Sequence, residues 1–166
     1  AQDCVRGRGM LYEYLEAHAL PYNKCGKFIV ATNEKQLSEL GSIAGRARDN
    51  GVDDLQEIDG PSAREAEPAL NALGALVSPS TGILDSHAYM LSLLGEAEDH
   101  GASLACKTSV VRGEVMQDGR TRLWCEGEEA CILETEQVIN CAGLAAPAVA
   151  TSIEGLAPEH VPAAYY

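Results

Sequence analysis

The stretch that most constrains this chain lies near its C-terminal end: VINCAGLAAPAVA, Val138 to Ala150. A short apolar run breaks at Cys141-Ala142-Gly143 and resumes as an alanine-rich segment with strong helical propensity. The pattern predicts a strand, a tight turn at Gly143 and a helix. That unit lets a backbone approach a nucleotide closely. It raises the question of where the rest of a nucleotide site would lie.

Upstream, helical and strand patterns alternate. Leu11, Tyr14, Leu15 and His18 recur at helical spacing, and Pro21 closes that helix. KCGKFIVAT, residues 24–32, reads as a strand. Asn33 caps a second helix, with Gln36 in the capping-box position and Leu37, Leu40, Ala44 and Ala47 along one face. Asn50-Gly51 ends it as a left-handed cap would. A short capped helical turn follows between Pro61 and Pro68. ALVSPSTGILD predicts a strand entering a Ser-Pro-Ser-Thr-Gly turn. Asp85 or Ser86 then starts a third helix, with Met90, Leu93, Leu94 and Ala97 as its buried stripe and Gly101 past its end. Beyond it ASLACKT, SVVRGEV, RTRLWCE and CILET read as strands, and Asp118-Gly119 is a strong hairpin signal. The expected class is α/β with α+β character, a β-meander interrupting the nucleotide-fold pattern.

At 166 residues and 46% hydrophobic, the chain has the apolar mass for a real core. A net charge of −13 with only 12 basic residues excludes nucleic acid and anionic lipid as partners. No run approaches the ~18 apolar residues of a membrane span, and AQDCVRGRGM lacks the order of a signal peptide. The cysteines at 4, 25, 106, 125, 131 and 141 show no Cys-x-x-Cys spacing. They read as reduced, mostly buried thiols in a cytoplasmic setting.

With these pieces in order, the sequence resembles the FAD-dependent oxidoreductases of the D-amino-acid oxidase and glycine oxidase superfamily, and within it the L-2-hydroxyglutarate dehydrogenase/oxidase branch. The likeness is carried by KCGKFIVAT (24–32), REAEPAL (64–70), SPSTGILDSHAYM (78–90), DHGASL (99–104), VINCAGLAAPAVA (138–150) and PAAYY (162–166). It implies part of a Rossmann-like FAD domain with a β-meander, plus part of a substrate-binding sheet domain. Residues 1–77 would belong to the substrate lobe, 78–156 to the FAD lobe, and 157–166 would begin the return to the substrate lobe. The family's Gly-x-Gly-x-x-Gly is missing: Arg6-Gly7-Arg8-Gly9 has only its first half and sits inside a predicted helix. The resemblance therefore implies a central fragment of an enzyme a little over twice as long, inactive in isolation. Peripheral association with an inner membrane is compatible with it.

The implied reaction oxidises (S)-2-hydroxyglutarate to 2-oxoglutarate, a small carboxylate substrate, with FAD as cofactor. Thr108-Ser109-Val110 matches a Thr-x-Val pattern whose valine holds adenine through its backbone, although any strand carries such a residue. Cys141, Ala142, Gly143 and Leu144 would give the backbone access to FAD. Lys24 and Lys27 are candidates for the substrate carboxylates, or equally solvated strand-edge lysines. Cys141 has no local base or cation to make it a nucleophile and reads as a buried thiol. Asp85-Ser86-His87 has a metal-like spacing, but a helix cap explains Asp85, and no metal is expected. An unpaired sheet edge at Tyr165-Tyr166 would favour a homo-oligomer. The alternatives are an amine-oxidising relative resembling glycine oxidase, and a non-catalytic binding or regulatory domain.

Overall fold

Gly74-Ala75-Leu76-Val77 organises the first part of the chain. Four consecutive residues without a polar side chain suit a strand covered on both faces, and in the computed structural model, which describes residues 2–161, they form such a strand. The backbone divides into two units, Ala1–Gly101 and Ala102–Tyr166.

In the first unit the elements run α1 (Gln2–Ala17), β1 (Tyr22–Asn23), β2 (Phe28–Ala31), α2 (Glu34–Asp49), β3 (Gln56–Asp59), α3 (Gly60–Ala66), β4 (Gly74–Val77), β5 (Ile83–Leu84) and α4 (Ser86–Asp99). β4 is the centre of an antiparallel sheet ordered β2-β4-β3. On one face Leu76 and Ala31 pack with Leu40 and Ala44 of α2; on the other Ala75 packs with Ala63 of α3 and Ala72. Alternate residues of one strand thus reach two separate cores. At Gly60 a Cβ would run into the Ala72 carbonyl oxygen, so α3 starts directly against the backbone leading into β4.

Local capping chemistry fixes the helix starts. Asn33 accepts the Gln36 N–H at 3.0 Å, Asp59 that of Ser62 at 2.9 Å and Asp85 that of Ala88 at 2.9 Å. Gln36 reaches one residue further back than a capping box requires, accepting the Thr32 N–H at 2.8 Å. Gly51 and Gly101 both have positive φ at the helix ends.

The expected buried stripe of α4 is corrected. Met90 is 59% exposed, and Leu93 is exposed as well. α4 meets α1 through a different face, spaced 89, 92 and 96. Tyr89 lies edge-on to Tyr14, Ser92 Oγ is 2.8 Å from the Tyr14 hydroxyl, and Glu96 is 2.6 Å from His18 Nε2. Of the expected stripe only Leu94 is half-buried; Met90, Leu93 and Ala97 are exposed.

The second unit holds β6 (Thr108–Val115), β7 (Thr121–Gly127), β8 (Cys131–Thr135), α5 (Ala146–Thr151) and β9 (Ile153–Glu154). The meander is as expected, and β9 adds to it in parallel, giving the order β8-β7-β6-β9. Asp118-Gly119 makes the hairpin, with Gly119 at φ +85 and its N–H on the Met116 carbonyl.

Two expected strands are corrected. ASLACKT is irregular up to a turn at Cys106-Lys107 and pairs only from Thr108. Val138–Cys141 is irregular and bonded to no strand among the described residues, and Ile139 is 84% exposed. An apolar run becomes a strand only where a ladder accepts its backbone. The segment over 162–166, with the expected Tyr165-Tyr166 edge, lies outside the described residues.

Candidate functional site

The second unit's sheet has two unlike faces, and a bulge at Val111 decides which residues share them. β6 pairs Val110 with Cys125 but Arg112 with Trp124, so one extra residue shifts the alternation. Val110, Gly113, Leu123, Cys125, Cys131 and Leu133 fall on one face by register. Arg112, Trp124, Arg122 and Glu134 fall on the other. There the Arg112 guanidinium lies 4.1 Å from the Trp124 ring, and Arg122 is 2.7 Å from Glu134. Arg122, more than Arg120, holds the Glu134 carboxyl below its usual range.

The apolar face opens into a cavity of about 390 Å³ lined by Ser109, Val110, Leu123, Val149, Ile153 and the irregular segment from Val138 to Ala142. Val110, Cys141 and Ala142, nominated separately from the sequence, meet here. Gly143 and Leu144 do not line it. Gly143 sits beside it at φ +56 with open space where a Cβ would be, and Leu144 is 89% exposed. Asn140 holds the segment in shape: its Oδ1 accepts the Ala142 N–H at 3.2 Å and its Nδ2 donates to the Ala146 carbonyl at 2.8 Å. That Asx turn was readable from Asn140 standing two residues before Ala142. No lining residue is charged. Such a set fits a flat heterocycle approached by backbone, as the adenine end of FAD would be, and offers no cation for a pyrophosphate.

The cysteines are corrected. All six are free as expected, but only Cys125 is buried, and Cys141 is exposed. Burial of a thiol on the sheet follows the cover over its face, and α5 packs on β6 and β9, away from the β8 edge that carries Cys131.

The first unit has its own cavity, of about 470 Å³, between α1 and the turn Ser80–Leu84. Cys4, Arg8, Leu11 and Tyr12 face it from α1, at the spacing of one helix face. Arg8 Nη1 donates to the Ser80 hydroxyl, and the Tyr12 hydroxyl donates to the Ser80 carbonyl at 3.1 Å. At Gly82 a Cβ would run into the Tyr12 hydroxyl, so only glycine allows this approach. The Ser80 hydroxyl and then the Arg8 charge hold the Asp54 carboxyl below its usual range, against the effect of its burial. One oxygen of that carboxylate, Oδ1, is buried without a hydrogen-bond partner among the described residues. Sequence reasoning passed over Arg8 and Tyr12. Their i, i+4 spacing, with one of few arginines in an acidic chain, was the available signal.

Lys24 adjoins this cavity through Tyr12: its Nζ lies 4.3 Å from the Tyr12 ring centroid and 5.8 Å from that of Tyr22. Lys27 is exposed, and its backbone pairs with Ser78 on both sides. The two lysines are not brought to one site. Asp85 is the cap of α4, and His87 is exposed in its first turn.

The family described as FAD dependent oxidoreductase matches residues 2–164. The chain belongs to that family. It is 34% identical to the mitochondrial L-2-hydroxyglutarate dehydrogenase of Arabidopsis thaliana over all of its own length and 40% of the relative's. It is 28% identical to the Homo sapiens protein of that name, covering 96% of this chain and 36% of the relative. Among solved structures, L-proline dehydrogenase from P. horikoshii matches with a TM-score of 0.77 at 17% identity, covering 91% of this chain and 40% of that one. FAD-bound L-alpha-glycerophosphate oxidase from Mycoplasma pneumoniae matches at 0.72 and 21% identity, covering 81% of this chain and 36% of that one. These likenesses show the fold. The chain spans about two fifths of the length of such relatives. The relatives carry mitochondrial names, which overturns the cytoplasmic setting expected from charge and cysteines. Among the described residues, no helix is long and apolar enough to cross a membrane.

Proposed function

We propose that this chain is part of an FAD-dependent dehydrogenase or oxidase of a 2-hydroxy acid, converting (S)-2-hydroxyglutarate to 2-oxoglutarate. The observation that carries the reading is the meeting of Val110, Cys141 and Ala142 in one uncharged cavity. The relatives' shared name supports the substrate. When bound, FAD accepts the hydride from the substrate's α-carbon. Val110 would hold the adenine, Cys141, Ala142 and Gly143 would leave room for close backbone approach, and Leu144 is the candidate beside them. Arg8 offers a carboxylate of the substrate a forked donor in the first unit, and Lys24 adds positive charge beside Tyr12; Lys27, exposed just before β2, is the candidate for the second carboxylate. In this reading residues 1–77 belong to the substrate lobe and 78–156 to the FAD lobe. The exposed edge strand β8 favours association of copies, which light scattering would detect.

The test has two arms. Titration of the 166-residue chain with FAD should give weak binding that Val110→Asp abolishes; tight binding indifferent to Val110→Asp and Gly143→Val would refute the cofactor reading. A form of the protein extended to the relatives' length and loaded with FAD should reduce a dye with (S)-2-hydroxyglutarate. Turnover of glycine or proline in its place would refute the substrate.

A further inference from the structure

The rung of the sheet that begins at Val110 continues through Cys125 to Cys131. These cysteines are direct partners on neighbouring antiparallel strands, so their side chains project from the same face. Antiparallel partners have Cα atoms about 4.5–5.5 Å apart, inside the ~4.4–6.8 Å that a disulfide spans. No other cysteine of the described strands has a cysteine for a partner. The two also differ in access. Cys131 is exposed, whereas Cys125 is only 8% exposed.

We propose that Cys125 and Cys131 form a dithiol site that exchanges with low-molecular-weight disulfides and closes into a disulfide between β7 and β8. The accessible thiol reacts first. Cys131 Sγ, as thiolate, attacks one sulfur of the small disulfide, forming a mixed disulfide and releasing one small thiolate. Cys125 Sγ then gives its proton to solvent and attacks Cys131 Sγ. The Cys125–Cys131 bond forms and the second small thiolate leaves. Two protein thiols are oxidised to one disulfide, and one small disulfide is reduced to two thiols. Burial pushes the Cys125 thiol up, with the neighbouring Cys131 adding to the effect, which keeps Cys125 protonated until a partner sulfur is delivered beside it. The site stands whatever the adjoining cavity binds, since it requires only the β7–β8 register.

Oxidised glutathione is the probe. The protein is incubated with it, quenched with N-ethylmaleimide and examined by intact mass and peptide mapping. Both the natural chain and a variant with serine at 4, 25, 106 and 141 are used, so that a folding defect in the variant does not decide the result. The expected product in each has lost two hydrogens at Cys125 and Cys131, carries no glutathione there, and gives one cross-linked peptide pair. Cys125→Ser should stop at a stable glutathione adduct on Cys131, and Cys131→Ser should leave Cys125 unmodified. A lasting adduct on Cys131 in the parent, alkylation of both thiols, or ready modification of Cys125 in Cys131→Ser would each overturn the proposal.

Discussion

The two sheets of this protein are built on opposite terms. The β2-β4-β3 sheet is covered on both faces, by α2 and α3, and its central strand is almost wholly buried. The β8-β7-β6-β9 sheet has one charged face and one apolar face that α5 covers only in part, against β6 and β9. A sheet covered on both faces yields a scaffold. A sheet with an apolar face left open yields a surface that can take a ligand, and in the second unit Val110 lies on it with Cys141 and Ala142 beside it.

The contrast can be broken by mutation. Leu76→Ala should have the largest effect, destabilising the first unit by about 2–5 kcal/mol, because Leu76 is fully buried between two layers. Urea unfolding followed by far-ultraviolet circular dichroism measures it. Leu123→Ala should cost less, about 2 kcal/mol, since its neighbours border a cavity that already lacks cover. Trp124, the chain's single tryptophan, reports on that sheet by fluorescence. Equal losses at the two positions would mean that the faces are equally well packed. Asn33→Ala should cost about 1 kcal/mol by removing the cap of α2; no change in the unfolding midpoint would show that packing alone holds the helix.

The smallest effect should come from acid. Hydrogen bonding by Ser62 holds the Asp59 carboxyl below its usual range. Its contribution is therefore complete above the unfolded carboxyl value of about 3.9 and is lost as pH falls through the lower folded value. Asp59→Asn should flatten that acid limb of the stability curve while leaving neutral pH little changed. A limb of unaltered slope would assign the acid sensitivity elsewhere.

What the sequence made legible was what a few neighbouring residues decide. The caps at Asn33, Asp59 and Asp85, the left-handed ends at Gly51 and Gly101, and the Asp118-Gly119 hairpin all depend on side chains within four positions of the backbone they bond. What stayed illegible depends on what lies opposite. The Val138–Cys141 run has strand composition but no ladder among the described residues. The α4 stripe has the right period, yet its helix docks by Tyr89, Ser92 and Glu96. Cys141 has an apolar setting and stands exposed. The candidate site was legible as separate residues, Val110 and the Cys141–Ala142 pair, but not as a cavity, and Arg8 was hidden because its partner Ser80 is distant in sequence.

The bulge in β6 has a consequence for how this strand tolerates change. With Val111 inserted, the strand carries two reading frames: 108 and 110 look the same way as 113 and 115. Losing Val111 alone would join Val110 directly to Arg112 and make the ladder regular, with Val110 still opposite Cys125 and Arg112 still opposite Trp124. Both faces would keep their residues, and what the strand would lose is the local bend and extra twist that the inserted residue gives it beside the cavity.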